Sequence, residues 1–439
     1  MSEERDGRNT RLTEDVAVWR AESEAPRPAP KLVGELRVDV AIVGGGFTGV
    51  STAWHLSRRH PDLGIALLEA DVLGGGASGR SGGQVLNGLA DWDEGDPEVL
   101  RRVYAATRSG IDLAEELART APTGTFSRGG CVAVLTHPER ADLAAQGVEA
   151  LRRAGIPAEF VSGPDVPVRG ASGAVIDPFA GRLNGFALLQ ALRPVLRDAG
   201  VQVYEHTTVR RVSGSAEISL ETPEGRVRAG ALVLATNAAT PALGFFRHGL
   251  LPVTSHVVAS APLDDAAWRG LGWGDWDGFY DDLDRLCFAS RTAGGRLVMG
   301  GGSNAAYGYG WRGRPVAPTA LAERAIRASL ARYFPGADAL PIAHRWAGTL
   351  AVTLDRVCTM GVGGPARNVY HALGYSGHGA ALALLAGRVI ADLHEGNHEA
   401  WRSLPFYQRK LLPLPPEPLR WLGYQAWTRL TGKSPRKRR

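Results

Sequence analysis

Cysteine is scarce. Cys131, Cys287 and Cys358 are the three in 439 residues, an odd number with no CxxC or metal-ligand spacing among them. A disulfide framework is therefore excluded, and buried thiols in a reducing compartment, by default the cytoplasm, are expected. Uninterrupted apolar runs near the ~18 residues of a membrane span are missing, and the first 30 residues, polar and proline-bearing, hold no apolar export core. Neither insertion nor export is expected. Solenoid repeats and long low-complexity tracts are absent too, which leaves an ordinary globular chain.

A basic surface is also lacking over most of the chain, despite an isoelectric point near 9.2. From Trp401 to Arg439 there are ten Lys or Arg and a single acid, Glu417, so this end carries +9 of a total of +5 and residues 1 to 400 carry −4. A body of that sign offers no face for a nucleic-acid backbone. The tail reads first as a solvated extension and second as an arm for an acidic partner or a membrane surface, where the aromatic, proline-rich stretch Leu411–Leu430 would rest.

What is present is enough apolar residue, 44%, for a large core, and enough length for two domains. An extended arm (1–37) with Trp19 as its pin precedes a β-branched run, Val38–Val43, a helix from Gly49 to His60 and a second buried run, Ile65–Leu68. Residues 38–110, 180–245 and 340–400 are assigned to one discontinuous dinucleotide-binding domain. Residues 111–179 and 246–339, the latter strand-rich, are assigned to an inserted substrate domain with a mixed or antiparallel sheet, and 401–439 to the tail. The fold class is α/β with α+β character.

Gly44-Gly45-Gly46-Phe47-Thr48-Gly49 lies between the first strand and its helix, and Glu69 ends the next strand twenty residues after Gly49. In this context Gly44 permits a tight turn, Gly46 lets the backbone approach a pyrophosphate, and Gly49 lets helix and strand pack closely, while Glu69 faces ribose hydroxyls. Such a unit binds the ADP half of either NAD or FAD. Leu73–Gln84 then places six glycines in twelve residues with Ser78, Arg80, Ser81, Gly82, Gly83 and Gln84. This loop suits the close approach of a longer cofactor, with Arg80 set to neutralise phosphate or a flavin edge.

Together GGGFTG, the following acid and GASGRSGGQ resemble the D-amino acid oxidase family of FAD enzymes, in particular its γ-glutamylputrescine oxidoreductase-like branch. Ala235–Ala238 (ATNA), Trp346, Gly348, Thr353, Gly361 and the run Gly374-Tyr375-Ser376-Gly377-His378-Gly379 extend the resemblance over most of the chain. It implies a Rossmann-like flavoprotein fold of the D-amino acid oxidase and glutathione reductase type, and a backbone contact of Val209 to adenine. It also implies a final loop whose helix N-terminus faces the flavin pyrimidine.

The family's chemistry is hydride transfer from the carbon beside a neutral amine to flavin N5, giving an imine that water hydrolyses. The acceptor would be oxygen, a quinone or another compound. Relatives that attach flavin covalently do so through a Cys near the C-terminal Trp-Gly region or a His in the early loop; Gly348–Thr353 has no Cys and the loop reads Ser78-Gly79-Arg80. Non-covalent FAD is expected, and no metal. His256, Phe279, Tyr280, Arg285 and Arg291 are the pocket candidates, with His256, Tyr280 and Arg291 assigned to catalysis. Two other readings compete: an NAD-dependent dehydrogenase, and an FAD-binding protein or subunit without amine oxidase activity.

Overall fold

The β-branched run around Val38–Val43 forms the middle of a strand, Gly34–Val43, which starts four residues inside the segment expected to be an extended arm. The computed structural model describes residues 12–89, 96–166, 168–283, 286–301, 307 and 319–431. Gly34–Val43 lies parallel to Ile65–Leu68 on one side and to Gly225–Leu234 on the other, and Gln202–Tyr204 extends the parallel set beyond Ile65–Leu68. Gly225–Leu234 is a ten-residue strand buried at every position from Ala231 to Leu234. Its first half pairs with Ile218–Glu221 on the edge away from Gly34–Val43, and its second half with Val369–Leu373. With Thr359–Gly363 and Arg211–Gly214 this makes eight strands.

Continuous apolar runs are what a parallel sheet covered on both faces requires, and Ile65–Leu68 is buried at every position. Helices Phe47–Arg59, Pro97–Ala118, Gly185–Asp198 and Gly379–His394 supply side chains to the largest apolar cluster, in which Ile42, Leu56, Leu188 and Leu384 are almost fully buried. Each such side chain contributes roughly 1.5–3 kcal/mol. Ser51 Oγ donates to Leu384 O at 2.6 Å, so the first helix and the last of these four touch backbone to side chain. Asp96 and Asn184 cap two of the helices through the backbone N–H groups of Glu98 and Ala187.

The second sheet has nine strands and mixed pairing. Leu251–Ser260, Gly278–Asp281, Cys287–Arg291 and Leu297–Gly301 realise the strand-rich reading of 251–302. Cys131–Leu135 pairs in parallel with Gly278–Asp281. Ile342–Val352, which falls in the 340–400 stretch expected with the dinucleotide sheet, pairs instead with Leu251–Ser260 along ten positions. Trp346 on this strand is fully buried and packs with Val257, Ala259 and Val298 of the same sheet. Helix Ala320–Ala331 lies on that sheet and places Ile326 and Leu330 in one apolar cluster with Phe279, Phe334 and Trp268.

The N-terminal segment is pinned by Trp19, as its sequence suggested: its ring is buried and Nε1 donates to Ser81 O at 2.7 Å. All three cysteines are free and buried. Among the described residues no helix is long and apolar enough to cross a membrane, and no group of His, Cys, Asp or Glu is arranged to hold a metal.

Candidate active site

The parallel strands end together, and the glycine-rich turn leaves from the central one. Gly44 has φ +109°, and a Cβ there would lie 2.5 Å from Ala235 O, so both its conformation and its neighbour demand glycine. A Cβ on Gly49 would lie 1.9 Å from Gly44 O, which is the close helix–strand packing expected of the third glycine. The helix starting at Phe47 has Gly46 as its N-cap and no side-chain cap from that residue. Ser78 Oγ accepts from Phe47 N at 3.0 Å, Val50 N donates to Gly46 O at 3.0 Å, and Gly46, Phe47 and Thr48 line a cavity.

Glu69 is half-buried and its two oxygens accept from Gly45 N (2.6 Å) and Asp71 N (2.8 Å). A carboxylate has about four acceptor sites, so capacity for ribose hydroxyls is left. Burial, then the nearby charges of Asp71 and Glu205, raise its pKa, while these two N–H bonds oppose the rise.

These residues line one cavity of about 2700 Å³, far above the ~300–1,000 Å³ of a typical small-ligand pocket. Gly44, Gly46, Phe47, Thr48, Glu69, Ser78, Arg80, Ser81, Gly82, Gln84 and Val209 lie along it, as do Tyr375, Ser376, Gly377, His378 and Gly379. His256 and Tyr280 line it from the nine-stranded sheet. Two helix N-termini therefore meet one cavity, at Phe47 and at Gly379. The loop from Ser78 to Gln84 ties the two sides of the cavity together, Ser78 bonding to Phe47 N on the parallel-sheet side and Gln84 to Phe279 O on the nine-stranded sheet. The cavity's size and its two helix N-termini fit a dinucleotide with a second ring system and a substrate beside it.

Several expected residues take other positions. Gly49, Gly83 and Gly374 are off the cavity wall: Gly83 is needed because a Cβ would strike the Trp19 ring, and the Gly374 N–H donates to Asn237 Oδ1 (3.1 Å). Arg80 lines the cavity, but its Nε donates to Ala347 O (2.6 Å) and its guanidinium pairs with Asp15, so its charge is already shared. Gln84 spends its amide on Phe279 O and Ala289 O (2.8 and 2.9 Å) and ties the loop to the second sheet.

Arg291 is the clear correction among the three residues assigned to catalysis. It is exposed at the end of its strand, with the guanidinium 4.7 Å from the centre of the Trp268 ring, and it does not line the cavity, because strand alternation turns it away. Phe279 likewise faces the core, against Tyr333 and Phe334. Arg285 lies outside the described residues.

Sequence reasoning missed Asn237, which lines the cavity at φ +41° and joins one sheet end to the final loop. The ATNA strand end was its only signal. It also missed the Thr48–Tyr375 pair, whose hydroxyls are 2.6 Å apart and connect the first loop to the last. Burial, with Cys358 nearby, raises the Tyr375 phenol well above its usual pKa, and the hydrogen bond with Thr48 opposes that rise.

A family model described as FAD dependent oxidoreductase (DAO) matches residues 39–393. The chain belongs to this family. DAO-family similarity extends to γ-glutamylputrescine oxidoreductase of Escherichia coli K12, 29% identical over 421 residues that cover 90% of this chain and 93% of that one. Glycine oxidase of Geobacillus kaustophilus is 27% identical over 84% of this chain and 96% of its own. The crystal structure of a glycine oxidase from the same organism superposes with a TM-score of 0.72 at 24% identity, covering 86% of this chain and all of that one, which establishes a DAO-type fold. The protein is an FAD-dependent oxidoreductase, and the nicotinamide-dependent reading is set aside.

Proposed function

We propose that this DAO-family protein oxidises the C–N bond of a small amine or amino acid, with FAD bound non-covalently along the cavity. The observation that carries the reading is the continuity of that cavity from Glu69 and the Gly44–Gly49 turn to His256 and Tyr280. Similarity to γ-glutamylputrescine oxidoreductase, glycine oxidase and sarcosine oxidase subunit β supports the substrate class.

In this reading the Phe47 helix N-terminus and the Gly46 backbone hold the pyrophosphate, Glu69 the ribose, and the Val209 backbone the adenine. Ser78, Ser81 and Gly82 border the middle of the cofactor. Gly377–Gly379 and the helix they open stabilise negative charge near the flavin pyrimidine. When bound, the flavin supplies a two-electron acceptor at N5 for hydride from the carbon beside nitrogen, and the resulting imine is hydrolysed by water.

The chain's own part is placement and proton control. Val253, Leu350 and Phe288 give the substrate end an apolar wall, which disfavours an ammonium and keeps the reacting amine neutral. His256 and Tyr280 supply the polar groups that orient it. Oxygen or a quinone-type compound takes the electrons.

The test is an anaerobic absorbance scan of the purified protein against amines and D- and L-amino acids, following the flavin band near ~450 nm. Bleaching by one compound supports the reading and names the substrate; readmitted air then separates oxidase from dehydrogenase. A flavin band that no amine or amino acid reduces would reject it in favour of an FAD-binding protein without this activity.

A further inference from the structure

Helix Leu419–Thr431 has its apolar stripe on the outside. Leu419, Leu422, Trp427 and Leu430 are 59, 51, 52 and 82% exposed, and the small residues Gly423 and Ala426 are exposed between them. Positions 419, 422, 423, 426, 427 and 430 recur at the three-to-four spacing of one helix face. An ordinary surface helix turns that face inward.

This helix is nonetheless fixed to the body. Tyr424 is buried with its ring 5.7 Å from that of Tyr307, and the Tyr307 hydroxyl bonds to Glu417. Arg420 donates to Pro415 O (2.9 Å) and Arg247 O (3.2 Å). The exposed stripe is therefore presented outward by a held helix.

Charge says what kind of surface it fits. Arg420 and Arg429 lie on the helix, and Lys433, Arg436, Lys437, Arg438 and Arg439 follow within ten residues of Arg429. Two copies meeting through this face would bring two such cationic ends together, an arrangement that like charge opposes. An apolar stripe on a helix bearing Arg420 and Arg429, and followed in sequence by further arginine and lysine, is what an anionic bilayer surface binds.

We propose that the C-terminal helix docks the protein on an anionic lipid bilayer, with Leu419, Leu422, Trp427 and Leu430 entering the interface. Gly423, Trp427 and Leu430 also line the cavity described above, so docking sets the rim of that cavity against lipid. The inference stands apart from the proposed reaction, since its readout is vesicle binding.

The experiment is sedimentation of the full-length, FAD-loaded protein with vesicles of phosphatidylcholine alone or with about one-third phosphatidylglycerol. Binding to the anionic vesicles should exceed binding to the neutral ones by roughly tenfold or more, and should fall in about 1 M salt, where the Debye length shrinks to ~3 Å. Leu422→Ser combined with Leu430→Ser should weaken it by about tenfold or more while leaving the melting temperature close to that of the parent. The proposal is overturned if the parent ignores both vesicles, or if the double variant binds as well as the parent. It is equally overturned if the parent is a dimer in solution that the double variant converts to monomer, which would assign the stripe to a second copy.

Discussion

Arg193 Nη2 donates to Glu205 Oε1 at 2.9 Å, and Glu205 has no exposure to solvent at all. The same carboxylate accepts from Leu73 N at 2.6 Å and from Ala29 N, so one buried charge ties together the N-terminal segment, the start of the glycine-rich loop and helix Gly185–Asp198. Removing Arg193 leaves that carboxylate uncompensated. Arg193→Ala should cost roughly 3–5 kcal/mol in urea denaturation, and Arg193→Lys should recover part of it, since one ammonium replaces a fork of donors. Unchanged midpoints for both variants would show that the pair carries no stability.

In the proposed site Gly46, which lines the cavity at the helix N-terminus, would let the backbone approach a pyrophosphate. A Cβ there would lie 2.8 Å from Ser78 Oγ, the oxygen that caps Phe47 N–H. Gly46→Ala should therefore weaken FAD binding by about tenfold or more. The check is the flavin-to-protein ratio after gel filtration, followed by titration of the apoprotein; a fully yellow variant would count against the assignment.

Flavin should come away when the protein is denatured with acid. The cysteine closest in sequence to the Trp346–Gly348 region is Cys358, which is buried, has its thiol pushed up to about 12 by that burial, and does not line the cavity. A thiol held protonated is a poor nucleophile. Colour remaining in the precipitated protein would overturn non-covalent binding.

How much of this was legible beforehand depends on the range of the interaction. The strand, glycine turn and helix around Gly44–Gly49 were legible as local structure because turn geometry and helix-start chemistry act over a few residues and leave fixed spacings. Ile342–Val352 was misplaced because a strand's sheet is chosen by a partner ninety residues away, Leu251–Ser260, and nothing in its own pattern names that partner. Arg291 was misassigned for a related reason: strand alternation sets which way a side chain points only once the register is known. Glu205 and Arg193 left no mark, since a buried pair twelve residues apart looks like two surface charges in sequence.

Acid should destabilise the fold well before the carboxylates protonate. Burial lowers His371 to about 4 from an ordinary 6.5, and burial with neighbouring Arg59 and Arg388 lowers His55 to about 4 as well. Both are neutral in the folded chain, so between pH 6.5 and 4 the unfolded chain takes up protons that the folded one does not. Stability is present above pH 6.5 and is lost as pH falls toward 4, with His371 contributing roughly 3 kcal/mol. Melting temperatures across that window should decline, and less steeply in His371→Phe; a flat profile would refute the assignment.

Arg291 and His256 separate position from proximity. His256 lines the cavity opposite Ala347 in register, whereas Arg291 stacks on Trp268 outside it. Arg291→Ala should leave kcat/KM within about twofold, and His256→Ala should lower it by about tenfold or more. The reverse order would move the substrate end of the site to the far side of the sheet.

The long strand Gly225–Leu234 meets Gly34–Val43 on one edge and Val369–Leu373 on the other, and the latter leads straight into the helix that packs on Phe47–Arg59. The cofactor cradle is thus closed by segments more than 300 residues apart, and during synthesis its first half must wait for almost the whole chain. Such closure is slow, because distant segments must meet before their contacts repay the lost chain entropy. A nascent chain stalled before residue 369 would therefore leave the second half of Gly225–Leu234 with an unpaired edge and could not hold flavin, so coloration marks the end of synthesis rather than its middle.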